Sequence, residues 1–103
     1  MLFRSVRTVA YFAPELRAGQ VKPTVSSEVF SCGLILHEML SGAHAFGPDA
    51  SKRMLPLHSQ SLPSDVPTRL ANVVMRCLEK SPARRFHSVA ELLKALKNAR
   101  PIL

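Results

Sequence analysis

The sequence predicts an all-α fold on the basis of three observations. The segment 24–40 is apolar on most of its circumference, with apolar residues at 25, 29, 30, 32, 34, 35, 36, 39 and 40, and such a helix is expected to be buried on most sides. In the segment 67–79, apolar residues recur at the i, i+3, i+4, i+7 and i+8 positions of an amphipathic helix. The sequence Ser-Val-Ala-Glu at 88–91 is a capping box, which marks a helix start. No convincing strand follows residue 12.

The first part of the chain is expected to hold an extended segment and a brief helix. Residues 1–12 mix basic, β-branched and aromatic side chains, which suits extended backbone. The brief helix is predicted over Ala13–Ala18, because Pro14 falls in its first turn, where the missing N–H costs nothing. The central helix then begins at the hydroxyl side chains of 24–27 and ends at Gly42, because glycine readily adopts a left-handed backbone.

Three further helices are predicted after the central one. A loop is expected from 42 to 49, followed by a short helix over Ala50–Leu57. The amphipathic helix over 67–79 is expected to take Asp65 as its cap. The last helix should run from the capping box to Ala99. Its apolar residues are predicted on one face: Leu92, Leu93 and Leu96.

The composition is that of one small globular domain. The chain has 103 residues, 47% of them hydrophobic, and a net charge of +7 from 14 basic and 7 acidic residues. The basic residues are scattered and no aromatic residues interleave with them, so a solvated surface is favoured over a nucleic-acid site. A helix-turn-helix would remain as an alternative, but the loop between the last two predicted helices is longer than the turn of that motif.

Cysteine and histidine usage gives no sign of a metal site. Cys32 and Cys77 lie on the apolar sides of predicted helices without a Cys-x-x-Cys spacing, so reduced, buried packing thiols in a cytoplasmic protein are expected. The N-terminus lacks the features of a signal peptide, and the central helix is too short and too interrupted by charge to span a membrane. The histidines are not at ligand spacings and are expected on the surface or in loops; they are His37, His44, His58 and His87.

Three stretches, in this order, resemble one family. Residues 8–15, Thr-Val-Ala-Tyr-Phe-Ala-Pro-Glu, resemble the end of a protein-kinase activation segment. Residues 28–33, Glu-Val-Phe-Ser-Cys-Gly, resemble the signature of αF, the central helix of the kinase C-lobe. Residues 77–86, Cys-Leu-Glu-Lys-Ser-Pro-Ala-Arg-Arg-Phe, resemble the loop between the last two kinase helices. Together they resemble bacterial-type Ser/Thr kinases, and the resemblance implies a distal C-lobe over 1–99, with helices corresponding to αF, αG, αH and αI, and a tail at 100–103.

The resemblance also implies that these 103 residues do not catalyse phosphoryl transfer by themselves. In the family, the glycine-rich loop, the strand lysine, the His-Arg-Asp loop and the Asp-Phe-Gly motif all precede Ala-Pro-Glu, and only twelve residues precede Ala13 here. These elements bind nucleotide phosphates and magnesium and orient the attacking hydroxyl. No cofactor is therefore expected on this chain, and ATP and Mg²⁺ are expected only for a full-length kinase.

The resemblance assigns roles to five residues. Glu15 and Arg85 should form an ion pair, in which a planar guanidinium binds a carboxylate through two hydrogen bonds. Thr8 and Tyr11 would belong to the loop that receives the substrate residue, a vestigial role in this chain alone, and a plain loop threonine is the alternative for Thr8. Glu28 stands where the family has an aspartate that accepts N–H bonds from the catalytic loop. A solvated glutamate, favourable to the helix dipole, is its alternative.

Two functions remain open at this point, and a nucleic-acid binder is a less favoured third. The chain is expected either to be a kinase fragment or to be a non-catalytic interaction module built from the same helices. Its partner would be the other part of a kinase domain or another protein, which would cover an exposed apolar face of the central helix. A protein substrate is expected only in a full-length context, and neither nucleic acid nor membrane is expected as a partner.

Overall fold

A computed structural model describes residues 10–19, 22–50 and 59–99. Within these ranges the chain forms four α-helices and no strand, so the all-α prediction is confirmed. We number them α1 (Pro14–Arg17), α2 (Val25–Ser41), α3 (Thr68–Cys77) and α4 (Val89–Asn98). Two short 3₁₀ turns, Gly47–Asp49 and Pro82–Arg84, lie in the connections. Most of the helix predicted over 50–57 and most of the extended segment predicted over 1–12 lie outside the described residues.

The central helix α2 begins and ends where local chemistry dictates. The Thr24 Oγ1 accepts a hydrogen bond from the Ser27 N–H at 3.1 Å, and the Ser27 Oγ accepts one from the Thr24 N–H at 2.7 Å. This reciprocal pair satisfies two donors at the helix start. At the other end Gly42 has a φ of 82°, and its N–H donates to the Glu38 carbonyl at 2.8 Å. The predicted cap and the predicted terminating glycine are both confirmed.

Helix α2 contributes to both apolar clusters of the described residues. The first cluster joins it to the N-cap of α1, to the chain that follows α2 and to α3, and its buried members are Ala13, Phe30, Leu34, Ala45, Phe46, Val74 and Leu78. The second joins it to α3 and α4, and its buried members are Val29, Val73, Cys77, Phe86, Leu92 and Ala99. Because α2 supplies residues to both clusters, it is the element against which the described helices pack.

Gly33 allows the helices α2 and α3 to lie close together. A Cβ atom placed on Gly33 would lie 2.5 Å from the Cβ of Cys77 on α3. That separation is far inside the van der Waals contact distance, so any side chain here would force α2 and α3 apart. The same packing leaves Cys77 fully buried, and burial raises the pKa of its thiol to about 12. Cys77 is therefore an inert packing thiol, as predicted.

The prediction that α2 is buried on most sides is wrong for one face. Ile35 is 50% exposed and Met39 75% exposed, and Cys32, which was expected to be buried, is also exposed. The apolar pattern alone could not show this, because it records which side chains favour burial and not which neighbours are available to cover them. The described residues cover the opposite face of α2 and leave this one open.

Two predictions about the last helices need correction. The N-cap of α3 is Pro67, with no capping side chain, and Asp65 lies outside the helix in the preceding turn. In α4, the Ser88 Oγ accepts from the Glu91 N–H at 3.0 Å as predicted, but Leu93 is 53% exposed. The buried face is instead formed by Leu92 with Ala95, Leu96 and Ala99, which follows the i, i+3, i+4, i+7 spacing of a helix.

The prediction that histidines lie on the surface or in loops is wrong for His37. It lies on the covered face of α2, is 1% exposed, and has both ring nitrogens within hydrogen-bond distance of a partner. The Nε2 is 2.8 Å from the Gln60 carbonyl and the Nδ1 is 3.2 Å from the Ser41 Oγ. An imidazole with two such partners can be buried without an unsatisfied polar atom. His87 is exposed as expected, and His58 lies outside the described residues.

Candidate functional site

The candidate site is centred on a buried arginine. Arg85 lies after the second 3₁₀ turn and has no solvent exposure. Its Nη1 donates to the Glu15 Oε2 at 2.7 Å and its Nη2 donates to the Glu15 Oε1 at 2.9 Å. The structure thus brings together, through a bidentate ion pair, two residues that are separated by 70 positions in the chain. The pair links α1 to the connection between α3 and α4.

The remaining hydrogen-bonding capacity of Arg85 is used by the backbone around it. Its Nε donates to the Glu79 carbonyl at 2.8 Å, and Nη1 and Nη2 also donate to the Ser26 carbonyl at 3.1 Å and the Lys80 carbonyl at 3.2 Å. The guanidinium carbon lies 4.8 Å from the centroid of the Phe30 ring. A charge removed from water needs this degree of pairing to be tolerated, so the connection, α2 and α1 are fixed relative to one another.

Two opposing effects set the charge state of Glu15. Burial by itself would raise the pKa of the Glu15 carboxyl, but the hydrogen bonds from Arg85 and from the Glu15 backbone, together with the Arg85 charge, outweigh it. The net result is a pKa below the ordinary value of 4.5. The Glu15 carboxyl is therefore ionised at neutral pH.

The chain immediately before α1, which we call the 10–13 segment, lies against α2. The Tyr11 hydroxyl donates to the Glu38 carboxylate at 2.5 Å, and the Ser31 hydroxyl donates to the Tyr11 carbonyl at 2.6 Å. The Tyr11 ring also lies 5.2 Å, centroid to centroid, from the His44 ring. The predicted site residue Tyr11 is thus attached to the central helix through both its side chain and its backbone, whereas Thr8 lies outside the described residues.

Glu28 is placed apart from these residues. It occupies the first turn of α2 and is exposed. A carboxylate there lies near the free N–H groups at the positive end of the helix dipole, and this favours the helix. The structure therefore brings Glu15 and Arg85 together and places Tyr11 on α2, but it does not place Glu28 in the same cluster.

A cavity opens beside Tyr11 on the exposed face of α2. Its volume is about 360 Å³, and it is lined by Tyr11, Ile35, Glu38, Met39 and Gly42. The lining is largely apolar, and the Glu38 carboxylate is a charged group at its edge. An open apolar surface of this kind on one face of a central helix is suited to contact with another segment of protein.

Sequence reasoning did not identify four residues that contact the 10–13 segment. Arg17, Ser31, Glu38 and His44 each donate to or accept from it. The pattern around them offered no signal, because a charged side chain in a short helix or in a helical turn usually faces solvent. Only the tertiary arrangement shows that Arg17 is buried and that His44 points its ring at the segment.

The described residues contain no group of three metal-ligating side chains that could hold a metal ion. No helix in that part of the chain combines the length and the hydropathy that crossing a bilayer requires.

Comparison with known proteins identifies bacterial kinases as relatives of this chain. A serine/threonine-protein kinase of Corynebacterium efficiens, drp72, is 36% identical to the chain over an alignment of 100 residues that covers 92% of this chain and 19% of that protein. The chain is homologous to the bacterial serine/threonine protein kinases. The kinase PknD of Mycobacterium tuberculosis is 31% identical over 103 residues, and PkaA of Streptomyces coelicolor is 36% identical over 83 residues. These matches cover 92% and 78% of this chain, and 15% of each kinase.

The chain spans less than one fifth of the length of these kinases. Its helical architecture agrees with the distal part of a kinase C-lobe, in which α2 corresponds to αF and α3 and α4 to the last two helices. The segment in which a helix corresponding to αG was expected lies mostly outside the described residues. No protein-family model matches the chain.

Proposed function

We propose that residues 1–99 are the distal part of the C-lobe of a Ser/Thr protein kinase domain, with 100–103 as a tail. In this proposal the 10–13 segment lines the site that receives the residue following the phosphorylated serine or threonine. The observation that carries the proposal is the buried bidentate pair between Glu15 and Arg85, because it fixes the segment's C-terminal end to the helical core. Tyr11, bonded to Glu38 on α2, fixes its middle.

The same proposal assigns the chemical step to protein outside these 103 residues. Phosphoryl transfer requires groups that bind the nucleotide phosphates and Mg²⁺ and a carboxylate that orients the attacking hydroxyl. The 103 residues contain no glycine-rich loop, His-Arg-Asp or Asp-Phe-Gly sequence. In a complete kinase domain, the C-lobe part would position protein substrate while ATP and Mg²⁺ bind elsewhere. The described cysteines are free thiols, which supports a reducing, cytoplasmic compartment.

A hybrid kinase tests this assignment. The stretch of the Corynebacterium efficiens kinase that aligns with this chain is replaced by the chain, and ATP-dependent phosphorylation of a serine/threonine peptide mixture is measured. We expect Mg²⁺-dependent incorporation of phosphate by the hybrid and none by the 103-residue protein alone. The control is the same hybrid with its catalytic-loop aspartate replaced by alanine. A folded hybrid with no activity above this control would contradict the proposal, as would phosphotransfer by the isolated chain.

The exposed face of α2 supports a second candidate, a non-catalytic interaction module. Ile35 and Met39 are large apolar residues at least half exposed beside a cavity of about 360 Å³. A monomeric protein rarely exposes such a surface without a partner. In this alternative the chain binds another protein through α2 and takes no part in phosphoryl transfer.

The two candidates differ in what covers this face. In the hybrid kinase, Ile35→Glu and Met39→Glu should reduce activity if the face is covered by the rest of the kinase domain. If the chain is a separate module that takes no part in phosphoryl transfer, the hybrid should already be inactive, and the two substitutions have no activity to reduce. The matched control is Leu93→Glu, an apolar residue of α4 with similar exposure on a different helix.

A further inference from the structure

Arg17 is a buried arginine whose guanidinium donates hydrogen bonds to backbone carbonyls. It lies at the end of α1 and is 7% exposed. Its Nε donates to the Phe12 carbonyl at 2.8 Å, its Nη2 to the Ala10 carbonyl at 3.0 Å and its Nη1 to the Ala50 carbonyl at 2.5 Å. The fixed fork of a guanidinium can bind three carbonyls only if these are in the right relative positions. Arg17 therefore ties the 10–13 segment to the chain that follows α2.

His44 adds a second donor to the same segment. Its Nε2 lies 2.6 Å from the Ala10 carbonyl, and its Nδ1 accepts a hydrogen bond from the Phe46 N–H at 3.1 Å. Because a carbonyl can only accept, the proton must be on Nε2, and because the Phe46 N–H donates, Nδ1 must be bare. The geometry thus requires the neutral imidazole in one tautomer.

Together these contacts account for every carbonyl in the 10–13 segment. Ala10 accepts from Arg17 and His44, Tyr11 accepts from Ser31, and Phe12 accepts from Arg17. The fourth carbonyl, that of Ala13, accepts from the backbone of α1. A segment whose carbonyls are all engaged has few alternative backbone conformations. We propose that Arg17 and His44 are positioning residues that fix the backbone of the 10–13 segment, and that His44 makes this positioning dependent on pH.

The pH dependence follows from the two bonds that His44 makes. Protonation would place a hydrogen on Nδ1, opposite the Phe46 N–H, so two donors would face each other. Burial lowers the pKa of His44 below its ordinary value of 6.5. The hydrogen bond to Ala10 and the charge of Glu38 raise this pKa, and the charges of Arg17 and His37 lower it, but the net shift is downward. The neutral form is therefore favoured by folding, and the positioning is complete above pH 6.5 and is lost as the pH falls through the lowered pKa.

Tyr11 provides a direct readout, because it is the single tyrosine of the chain. An NMR titration from pH 7.5 to 5 follows the ring signals of Tyr11, the imidazole of His44 and the carbonyl carbon of Ala10. We expect all three to move with one common midpoint below 6.5. In His44→Gln, which retains a donor but cannot titrate in this range, the Tyr11 and Ala10 midpoint should disappear. It should persist in His87→Gln, an exposed histidine that serves as the control.

The role of Arg17 is tested by a charge-preserving substitution. Lysine has a single ammonium group and cannot reach all three carbonyls, so Arg17→Lys should shift the Ala10 and Phe12 carbonyl resonances. Arg69→Lys, at an exposed position of α3, should not. If this variant fails to fold, the titration of the unaltered chain still tests the part of the proposal that concerns His44. A Tyr11 signal that does not follow His44, or a midpoint that survives in His44→Gln, would overturn the proposal.

The link to substrate rests on the proposed kinase function and is tested separately in the hybrid kinase. There, Arg17→Lys and His44→Gln should raise KM for the peptide several-fold while KM for ATP is unchanged, and in the unaltered hybrid the peptide KM should rise below pH 6.5. An active hybrid whose peptide KM is insensitive to both substitutions would overturn the positioning role for substrate. An inactive but folded hybrid would contradict the kinase assignment itself. The NMR titration and the Arg17→Lys carbonyl shifts would still decide whether His44 and Arg17 fix the segment.

Discussion

Two arginine–glutamate pairs in this chain have the same chemistry and opposite surroundings. Arg85 and Glu15 form a bidentate pair in which the arginine has no exposed surface and the glutamate side chain is 16% exposed. Arg76 and Glu91 join α3 to α4 through one hydrogen bond of 3.2 Å, and their side chains are 47% and 43% exposed. The first pair spans 70 positions and the second 15.

The difference between the pairs lies in what each loses when one partner is removed. At the surface, water and salt replace a lost partner, so exposed pairs contribute about 0–1 kcal/mol. In the interior, nothing replaces it, and the remaining charge is left without solvation. The buried pair is therefore expected to specify how α1 sits on the core, whereas the exposed pair adds little. Substitutions in each pair measure this contrast.

The largest effect is expected from removing the buried arginine. Arg85→Ala leaves the Glu15 carboxylate and the carbonyls of Glu79, Ser26 and Lys80 without their donor, and the free energy of unfolding should fall by about 3–5 kcal/mol. Urea unfolding followed by circular dichroism measures it. Arg84→Ala, at the exposed neighbouring position, is the control. A loss no larger than that of the control would show that the buried pair is not a stabilising element.

A smaller loss of stability is expected from Glu15→Gln, which preserves the shape of the side chain and removes its charge. The Arg85 guanidinium keeps its backbone acceptors but loses an ionised one, so the free energy of unfolding should fall by about 1–3 kcal/mol. The matched change in the exposed pair, Glu91→Gln, should cost less than about 1 kcal/mol. Equal losses in the two variants would mean that burial does not distinguish the pairs.

Acid provides a test of the same pair without substituting Arg85. Because the pKa of Glu15 is lowered on folding, its contribution to stability is complete above the ordinary value of 4.5 and is lost as the pH falls through the folded pKa. The difference in unfolding free energy between the unaltered chain and Glu15→Gln should be constant from pH 7 to about 5 and shrink below 4.5. A difference independent of pH between 5 and 2 would argue against an ionised Glu15.

How far these features follow from sequence depends on how local they are. The start of α2 at Thr24 and its end at Gly42 are set by neighbouring backbone and side-chain groups, and both were predicted. Glu15 and Arg85 were paired only through a motif resemblance, since no local rule connects residues 70 positions apart. The resemblance was informative because it carries tertiary information that periodicity lacks.

The features that could not be predicted depend on which neighbours are present. Cys32 and His37 both lie on α2, yet the apolar-looking Cys32 is exposed and the polar His37 is buried. Hydropathy ranks side chains by their average preference for burial. His37 is buried because the Gln60 carbonyl and the Ser41 hydroxyl lie within hydrogen-bond distance of its two ring nitrogens. The same holds for Arg17, whose three carbonyl partners come from two separate stretches of chain.

The smallest effect is expected from the exposed pair itself. A double-mutant cycle of Arg76→Ala and Glu91→Ala should give a coupling of about 0.2–1 kcal/mol, decreasing as salt is raised from 0.05 to about 1 M because exposed charges are screened. The single Arg76→Ala change should cost more than this coupling, because the Arg76 guanidinium also lies 4.2 Å from the centroid of the Phe86 ring. The contact with the ring survives removal of Glu91, so the cycle separates it from the ion pair. A coupling above about 2 kcal/mol, unaffected by salt, would show that exposure does not account for the difference between the two pairs.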